Sequence, residues 1–142
     1  MKKDDFMYLA FLEAKKAMAV DEVPVGCVIV CENDVIACGY NEKESKNNVF
    51  RHAEIVAIEK ACGKLKTWHL NNCDLYVTLE PCMMCMGAII ESRIKNVYFG
   101  TKYIGEQMFD KNKIDSFVHL HFVENSDCSK ILTDFFENKR KK

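Results

Sequence analysis

Two short motifs contain the residue types that bind metal ions and transfer protons. The first is His52-Ala53-Glu54, and the second is Pro81-Cys82-Met83-Met84-Cys85. Cys82 and Cys85 are three positions apart, so they share one face if they lie on the first turn of a helix. Imidazole and thiolate groups are ligands that zinc prefers in proteins. The motifs therefore predict a zinc site with the ligands His52, Cys82 and Cys85, and one Zn²⁺ per subunit.

Three protein ligands leave one corner of a tetrahedral zinc site for water, and an open corner distinguishes a catalytic site from a structural one. The chain has three further histidines that could close the site, at His69, His119 and His121. None of them has a second ligand at a suitable spacing, so we interpret them as surface or packing residues. The remaining six cysteines have no ligand spacing either and are predicted to be small apolar side chains.

Glu54 is the candidate general acid and base, because a carboxylate beside a metal can accept a proton from water and pass it on. Two thiolates neutralise the charge of zinc, which makes a neighbouring base more necessary. Residues two apart on a helix point in directions about 200° apart. His52 and Glu54 can therefore converge only if His52 is the cap residue that precedes the helix.

The elements that must position these motifs follow from hydrophobic periodicity and from turn residues. Helices alternate with strands, which predicts a three-layer α/β/α domain with a mixed sheet of about five strands. Gly63 is expected to end the second helix, and Pro81 to open the third. The predicted helices cover about 5–19, 52–62, 81–91 and 128–139, and the predicted strands cover 25–31, 35–39, 74–80, 96–100 and 117–123.

Composition limits the function classes that remain open. The 142 residues are 49% hydrophobic, which predicts one compact domain over 1–142. The formal net charge of -1 excludes a protein that coats nucleic acid through its overall charge. Lys139 and Arg140 open a basic C-terminal run that either contacts phosphates or is a solvated helix end. There is no signal peptide and no apolar stretch long enough to span a bilayer, so a cytoplasmic protein without a membrane partner is expected.

Beyond the two motifs, the sequence resembles the bacterial tRNA adenosine deaminases, within the cytidine deaminase-like superfamily of zinc deaminases. The resemblance covers most of the first 100 residues. The segments that carry it, in order, are Glu22-Val23-Pro24-Val25-Gly26, Asn41, His52-Ala53-Glu54-Ile55, Leu75 to Ala88, and Ser92-Arg93-Ile94. Phe135-Phe136, followed by basic residues, matches as well.

This resemblance implies a cytidine deaminase-like fold, a homodimer, and the conversion of adenosine to inosine at the wobble position of a tRNA anticodon loop. It also implies zinc on the His-Cys-Cys set, with Glu54 as the proton shuttle. Asn41 would hydrogen-bond the target nucleoside, although a loop-stabilising role is the default for such a residue. The walls of the pocket for the flipped base would be Val23, Pro24, Ala53 and Leu79.

The sequence departs from the family after Phe99-Gly100, where the family carries a loop rich in Asp and Gly that lies against RNA. Tyr103 and Phe109 in this segment either stack on splayed bases or pack within the protein. One alternative function is therefore the same chemistry on a free base or nucleoside, such as cytosine, guanine or adenosine. A second alternative is a non-catalytic, zinc-containing RNA-binding subunit, which the presence of Glu54 disfavours.

Overall fold

Ten helices and strands make up the part of the chain described by the computed structural model, residues 2–141. Met1 and Lys142, the two ends of the predicted domain, lie outside it. In chain order the elements are α1 (Lys3–Ala19), β1 (Gly26–Cys31), β2 (Asp34–Tyr40), α2 (Ala53–Leu65), β3 (Cys73–Leu79), α3 (Met83–Glu91), β4 (Asn96–Thr101), α4 (Lys111–Ile114), β5 (His119–Phe122) and α5 (Ser126–Arg140).

The five strands form one mixed sheet in the order β2-β1-β3-β4-β5. Strand β1 runs antiparallel to both β2 and β3, whereas β3, β4 and β5 are mutually parallel. The carboxyl ends of β3 and β4 therefore meet at one edge of the sheet, with Leu79 opposite Thr101. The expectation of a mixed sheet of about five strands is confirmed, and this edge is where the second motif begins.

Helices cover both faces of the sheet, which confirms the three-layer architecture. One apolar cluster joins α2 and α3 to the sheet through residues such as Ala57 and Met86, and the other joins α1 and α5 through Met7 and Cys128. Both clusters contain alternate residues of β1 and β3, as a strand buried on two faces requires. No helix within residues 2–141 combines the length and apolar composition that a membrane crossing needs.

Helix α1 approaches β1 so closely that one position has no room for a side chain. A Cβ atom added at Gly26 would lie 2.0 Å from the carbonyl oxygen of Ala10 and 2.4 Å from the amide nitrogen of Ala14. Small residues on the facing turns of α1 allow this approach. The glycine of the Val23-Pro24-Val25-Gly26 segment is thus required by packing, and it fixes the start of β1 beside the loop that precedes it.

Two predicted helix boundaries are wrong. Helix α2 continues through Gly63 and ends at Leu65, where Lys66 takes the left-handed conformation with a φ of 57°. A glycine inside a helix is only a modest cost, and tertiary packing of the helix outweighs it. Helix α3 begins at Met83 rather than Pro81, and Cys82 is its N-cap. The short helix α4, which follows the segment that departs from the family, was not predicted.

Candidate active site and metal centre

The side chains of His52, Cys82 and Cys85 converge at the carboxyl edge of the sheet. The Nδ1 atom of His52 lies 3.7 Å from the Sγ of Cys82 and 3.5 Å from the Sγ of Cys85. All three possible ligand atoms lie within 4.8 Å of one another. Within residues 2–141 this is the one group of three or more His, Cys, Asp or Glu side chains at such distances.

These separations fit a tetrahedral zinc ion. Zinc binds sulfur at about 2.3 Å and nitrogen at about 2.0–2.1 Å, so a tetrahedral angle places the two ligand atoms about 3.6 Å apart. The two observed distances bracket that value. The three side chains therefore form a set that could bind a metal, and the nitrogen and sulfur atoms are of the kind that zinc prefers.

Two helix caps bring the ligands together. His52 is the N-cap of α2 and Cys82 is the N-cap of α3, and both have extended backbone conformations. Helix N-termini carry partial positive charge, which stabilises thiolates placed there. The cap position of His52 also meets the condition for it to converge with Glu54, which lies in the first turn of α2.

The electrostatics of the two cysteines differ. The pKa of Cys82 is lowered to about 4, chiefly by a hydrogen bond from Cys85 and also by one from His52. The pKa of Cys85 is raised, because its hydrogen bond to Cys82 and its burial both favour the protonated thiol. Cys82 is thus the more readily ionised thiol of the pair, and a thiolate attracts a cation to the site.

Glu54 is buried at the floor of a cavity of about 280 Å³ that also reaches His52 and Cys82. Burial raises the pKa of its carboxyl to about 7, because the charged form is poorly solvated there. A carboxyl with a pKa near neutrality can both accept and donate a proton under physiological conditions. Its position beside the ligand cluster is the one that the sequence predicted for the general acid and base.

The cavity is lined by four of the five residues expected to contact the substrate, Val23, Asn41, Ala53 and Leu79. Pro24 is buried and is not among the lining residues. Its neighbour Val25 is exposed to the cavity instead. This difference follows from the start of β1 at Gly26, which fixes how the preceding loop enters the sheet.

Asn41 makes two hydrogen bonds within its own neighbourhood. Its Nδ2 atom donates to the carbonyl oxygen of Val23 at 3.2 Å, and its Oδ1 atom accepts from the backbone N–H of Lys43 at 3.1 Å. These bonds tie the loop after β2 to the loop before β1, which is the loop-stabilising role. They also hold the amide side chain at the cavity wall, where its oxygen retains a second acceptor position.

Three further cavity residues were missed as pocket residues, Lys43, Glu80 and Tyr103. Lys43 and Tyr103 lie in loops and have no spacing that marks them. Glu80 is a single acidic residue after strand β3, and nothing in the sequence around it marks it as a pocket residue. Of the two aromatic residues singled out in the departing segment, Tyr103 lines the cavity, whereas Phe109 packs against the core cluster below α2 and α3.

The three other histidines and the described basic residues of the C-terminal run, which were considered for metal or phosphate contacts, do not line the cavity. His69 stacks on Trp68, and the Nε2 atom of His121 lies 3.0 Å from the Oδ1 of Asn96. His119 is exposed on β5. In the basic tail, Lys139 pairs with Asp21, just before the Glu22-Val23 segment that leads to the cavity, while Arg140 is exposed.

Comparison with known proteins agrees with this geometry. Residues 1–140 match the family of MafB19-like deaminases. The tRNA-specific adenosine deaminase of Buchnera aphidicola subsp. Schizaphis graminum is 41% identical over 145 residues, which cover 95% of this chain and 94% of that protein. The chain belongs to the tRNA-specific adenosine deaminase family. As a deaminase it is a hydrolase that acts on a carbon–nitrogen bond.

Solved structures of deaminases share its fold. A structure from work on A-to-I editing by tRNA:A34 deaminases at the wobble position of transfer RNA is 45% identical, with a TM-score of 0.70 over 72% of this chain and 79% of that one. Guanine deaminase from Bacillus subtilis is 36% identical, with a TM-score of 0.69 over 72% of this deaminase and 66% of that chain. The cytidine deaminase-like fold is thereby confirmed.

Proposed function

We propose that this protein hydrolyses the 6-amino group of adenosine at the wobble position of a tRNA anticodon loop, giving inosine and ammonia. The convergence of His52, Cys82 and Cys85 beside the buried Glu54, within one cavity, is the observation that carries the proposal. The relatives at 41% and 45% identity supply the substrate, since the names of both refer to tRNA.

The ligand set is proposed to hold one Zn²⁺ per subunit. When bound, zinc supplies the Lewis acidity that makes water a competent nucleophile near neutral pH. The sulfur and nitrogen atoms, and their separations of 3.5 and 3.7 Å from His52 Nδ1, support this assignment. In residues 2–141 no further His, Cys, Asp or Glu joins the group, so these three side chains would leave a bound zinc one position for water.

Glu54 is the proton carrier in this proposal. It accepts a proton from the attacking water, whose oxygen bonds to C6 of the purine ring. It then donates a proton to N1, and the second proton of the water goes to the departing amine. The bond between C6 and nitrogen breaks, so ammonia leaves and the ring carbonyl of inosine forms. Because Glu54 is buried, its protons are exchanged with the substrate rather than with bulk water.

The remaining cavity residues orient the base. Ala53, Leu79 and Val23 provide apolar surface for a ring lifted out of the stack. Asn41 offers an oxygen acceptor to the nucleoside. A base in an anticodon loop costs less to unstack than one in a duplex, which suits an enzyme that must enclose it. Lys139 and Arg140 are proposed to contact tRNA phosphates.

We further propose that the protein is a homodimer located in the cytoplasm. Residues 1–142 form one deaminase domain in this proposal. Exposed apolar side chains flank the ligands, with Phe50 just before His52 and Met83 just after Cys82. An apolar surface of this kind is typical of a protein interface. Sedimentation equilibrium of the zinc-loaded protein measures the state directly, and a monomer at micromolar concentration would remove the dimer from the proposal.

Guanine is the second candidate substrate, because a guanine deaminase is 36% identical over 72% of the chain. The deciding experiment incubates zinc-loaded protein with an anticodon stem-loop that carries a wobble adenosine, and in parallel with free guanine, cytosine and adenosine. Mass spectrometry reads the loss of the amino group. Inosine in the stem-loop supports the proposal, whereas turnover of guanine alone would transfer the same chemistry to a free base.

A further inference from the structure

Residues 102–110, which include most of the segment Thr101 to Phe109 that departs from the family, are fastened to the chain immediately before the candidate ligand Cys82. The backbone N–H of Tyr103 donates to the Oε1 atom of Glu80 at 3.0 Å. The side-chain amide of Gln107 donates to the carbonyl oxygen of Pro81 at 3.0 Å. Two contacts therefore hold the segment against the carboxyl end of β3, at the edge of the sheet where the cavity opens.

Glu80 holds the segment and the start of α4 through both of its carboxylate oxygens. Its side chain is only 2% exposed, and the Nζ atom of Lys111 lies 3.0 Å from its Oε2 atom. That approach is an ion pair by distance, although its angles fall outside those of a hydrogen bond. A buried carboxylate without partners is costly, so the bonds to Tyr103 and Lys111 favour the ordered segment.

Tyr103 is the aromatic residue that this attachment places at the cavity. Its side chain is 38% exposed and lines the cavity together with Asn41, Leu79 and Glu54. By contrast, Ile104 is 95% exposed and Met108 is 80% exposed on the same segment. The segment thus places Tyr103 at the cavity and Phe109 against the core, while Ile104 and Met108 face solvent.

We propose that Tyr103 is a substrate-binding residue whose ring contacts the target nucleoside, and that Glu80 is a positioning residue that holds it there. The inference rests on the proposed function, because it takes the substrate to be a nucleoside within RNA. Aromatic rings stack on nucleobases independently of sequence, and alanine substitutions of such rings weaken binding by about 5- to 150-fold. The effect belongs to binding, since the ring of Tyr103 exchanges no proton with the substrate.

The first test compares Tyr103→Ala, Tyr103→Phe and the control Ile104→Ala on the anticodon stem-loop. Tyr103→Ala is expected to raise KM by about 5-fold or more while kcat changes much less. Tyr103→Phe recovers most of that loss, because it keeps the ring. Ile104→Ala removes an apolar side chain from the same segment without touching the cavity, and it leaves KM at the wild-type value.

The second test has a readout independent of turnover. A stem-loop carrying 2-aminopurine at the target position lacks the 6-amino group, so it is bound and not deaminated. Its fluorescence is quenched when it stacks. The protein is expected to retain this quenching with Tyr103→Phe and to lose most of it with Tyr103→Ala, both at saturating protein.

The role of Glu80 is tested through its exposed partner. Lys111→Met removes the charge beside Oε2 without altering the cavity wall. Hydrogen exchange of residues 102–110 is expected to accelerate in Lys111→Met and in Glu80→Gln, with KM raised in both. An unchanged exchange rate in both variants contradicts the positioning role.

Different results would overturn the proposed function and the assignment of Tyr103. If wild-type protein forms no inosine in the stem-loop, the proposed function falls. If the wild type forms inosine but Tyr103→Ala retains wild-type KM and quenching, the substrate stands and the assignment of Tyr103 is overturned.

Discussion

At the scale of single residues, the site depends on groups whose chemistry changes with their surroundings. Glu54 and Glu22 are both buried carboxyls, yet burial raises the pKa of Glu54 to about 7 while hydrogen bonds hold that of Glu22 below its ordinary value. The difference lies in the donors. Glu22 accepts backbone N–H bonds from Glu44 at 3.0 Å and from Ser45 at 2.6 Å. The first carboxyl is suited to move a proton and the second to fix a loop.

Glu54→Gln is expected to lower kcat by about 10²- to 10⁴-fold, the contribution typical of a general acid and base. The amide keeps the shape of the side chain but can neither accept nor return the proton. Single-turnover kinetics on the stem-loop, together with zinc content by mass spectrometry, give the measurement. Zinc at one ion per chain with activity near the wild-type rate would contradict the role of Glu54.

Glu22→Gln is expected to raise KM and to lower the free energy of unfolding by about 1–3 kcal/mol, since the backbone N–H groups of Glu44 and Ser45 lose their charged acceptor. The loop it holds contains Asn41 and Lys43, which line the cavity. Burial by itself would raise the pKa of Glu22, but the bonds from Ser45 and Glu44 outweigh it.

A carboxyl whose pKa is lowered on folding contributes stability above its unfolded pKa, and that stability is lost as pH falls through the folded value. The difference in Tm between wild type and Glu22→Gln should therefore narrow below about pH 4. Thermal unfolding at several pH values measures it. A difference that stays constant into acid would mean that the charge of Glu22 is not what holds the loop.

At the scale of elements, the packing of α1 on β1 and the caps of α2 and α3 set the geometry of the site. The caps put His52 and Cys82 where the two helices begin, and the close approach of α1 fixes the loop of residues 20–25 that leads to Val23 and Val25. The packing of α1 involves no catalytic group, whereas the caps place two of the three candidate metal ligands.

Gly26→Ala is expected to destabilise the protein by about 3 kcal/mol or more, because the added Cβ meets backbone atoms of α1 that cannot rotate away. Gly87→Ala is the matched control. A Cβ at Gly87, inside α3, meets nothing within 4 Å, and alanine stabilises a helix interior by about 1 kcal/mol relative to glycine. Urea denaturation of both variants gives the comparison. Equal stability of the two would show that α1 moves freely on the sheet.

At the scale of the whole molecule, the proposed metal joins two helices of one layer. His52 begins α2 and Cys82 begins α3, so a bound ion would bridge them over the sheet edge. A ligand that binds only the folded state stabilises that state by mass action. The stabilisation is about 3–4 kcal/mol when the ligand concentration is 100 to 1,000 times the dissociation constant. Folding and metal binding are therefore expected to be coupled.

Removal of metal by a chelator is expected to lower Tm, and zinc is expected to restore it. Cys85→Ser supplies the control, because its Tm should no longer depend on zinc, whereas Cys62→Ser, at a half-buried cysteine outside the ligand group, should respond as the wild type does. Differential scanning calorimetry measures the shifts. A zinc response retained in Cys85→Ser would argue against this ligand set.

The basic end of α5 offers a prediction about RNA affinity. Changing Lys139 and Arg140 together to alanine is expected to weaken binding of the stem-loop and to reduce the slope of log affinity against log salt by up to about 1–2. Fluorescence anisotropy at several salt concentrations measures the slope. A slope equal to that of the wild type would assign Lys139 to its ion pair with Asp21 alone.

The sequence by itself determined the types of the candidate metal ligands, the candidate proton carrier, and the order of the five strands and of every helix except α4. Those features depend on local spacing, such as the three-residue step from Cys82 to Cys85 and the alternation within β3, which neighbouring residues impose on one another. Only the tertiary structure decided the cap positions of His52 and Cys82, the continuation of α2 past Gly63, and the meeting of Glu80 with Tyr103. These depend on contacts between segments distant in the chain, and hydrogen bonds and burial across such distances leave no periodic trace in the sequence.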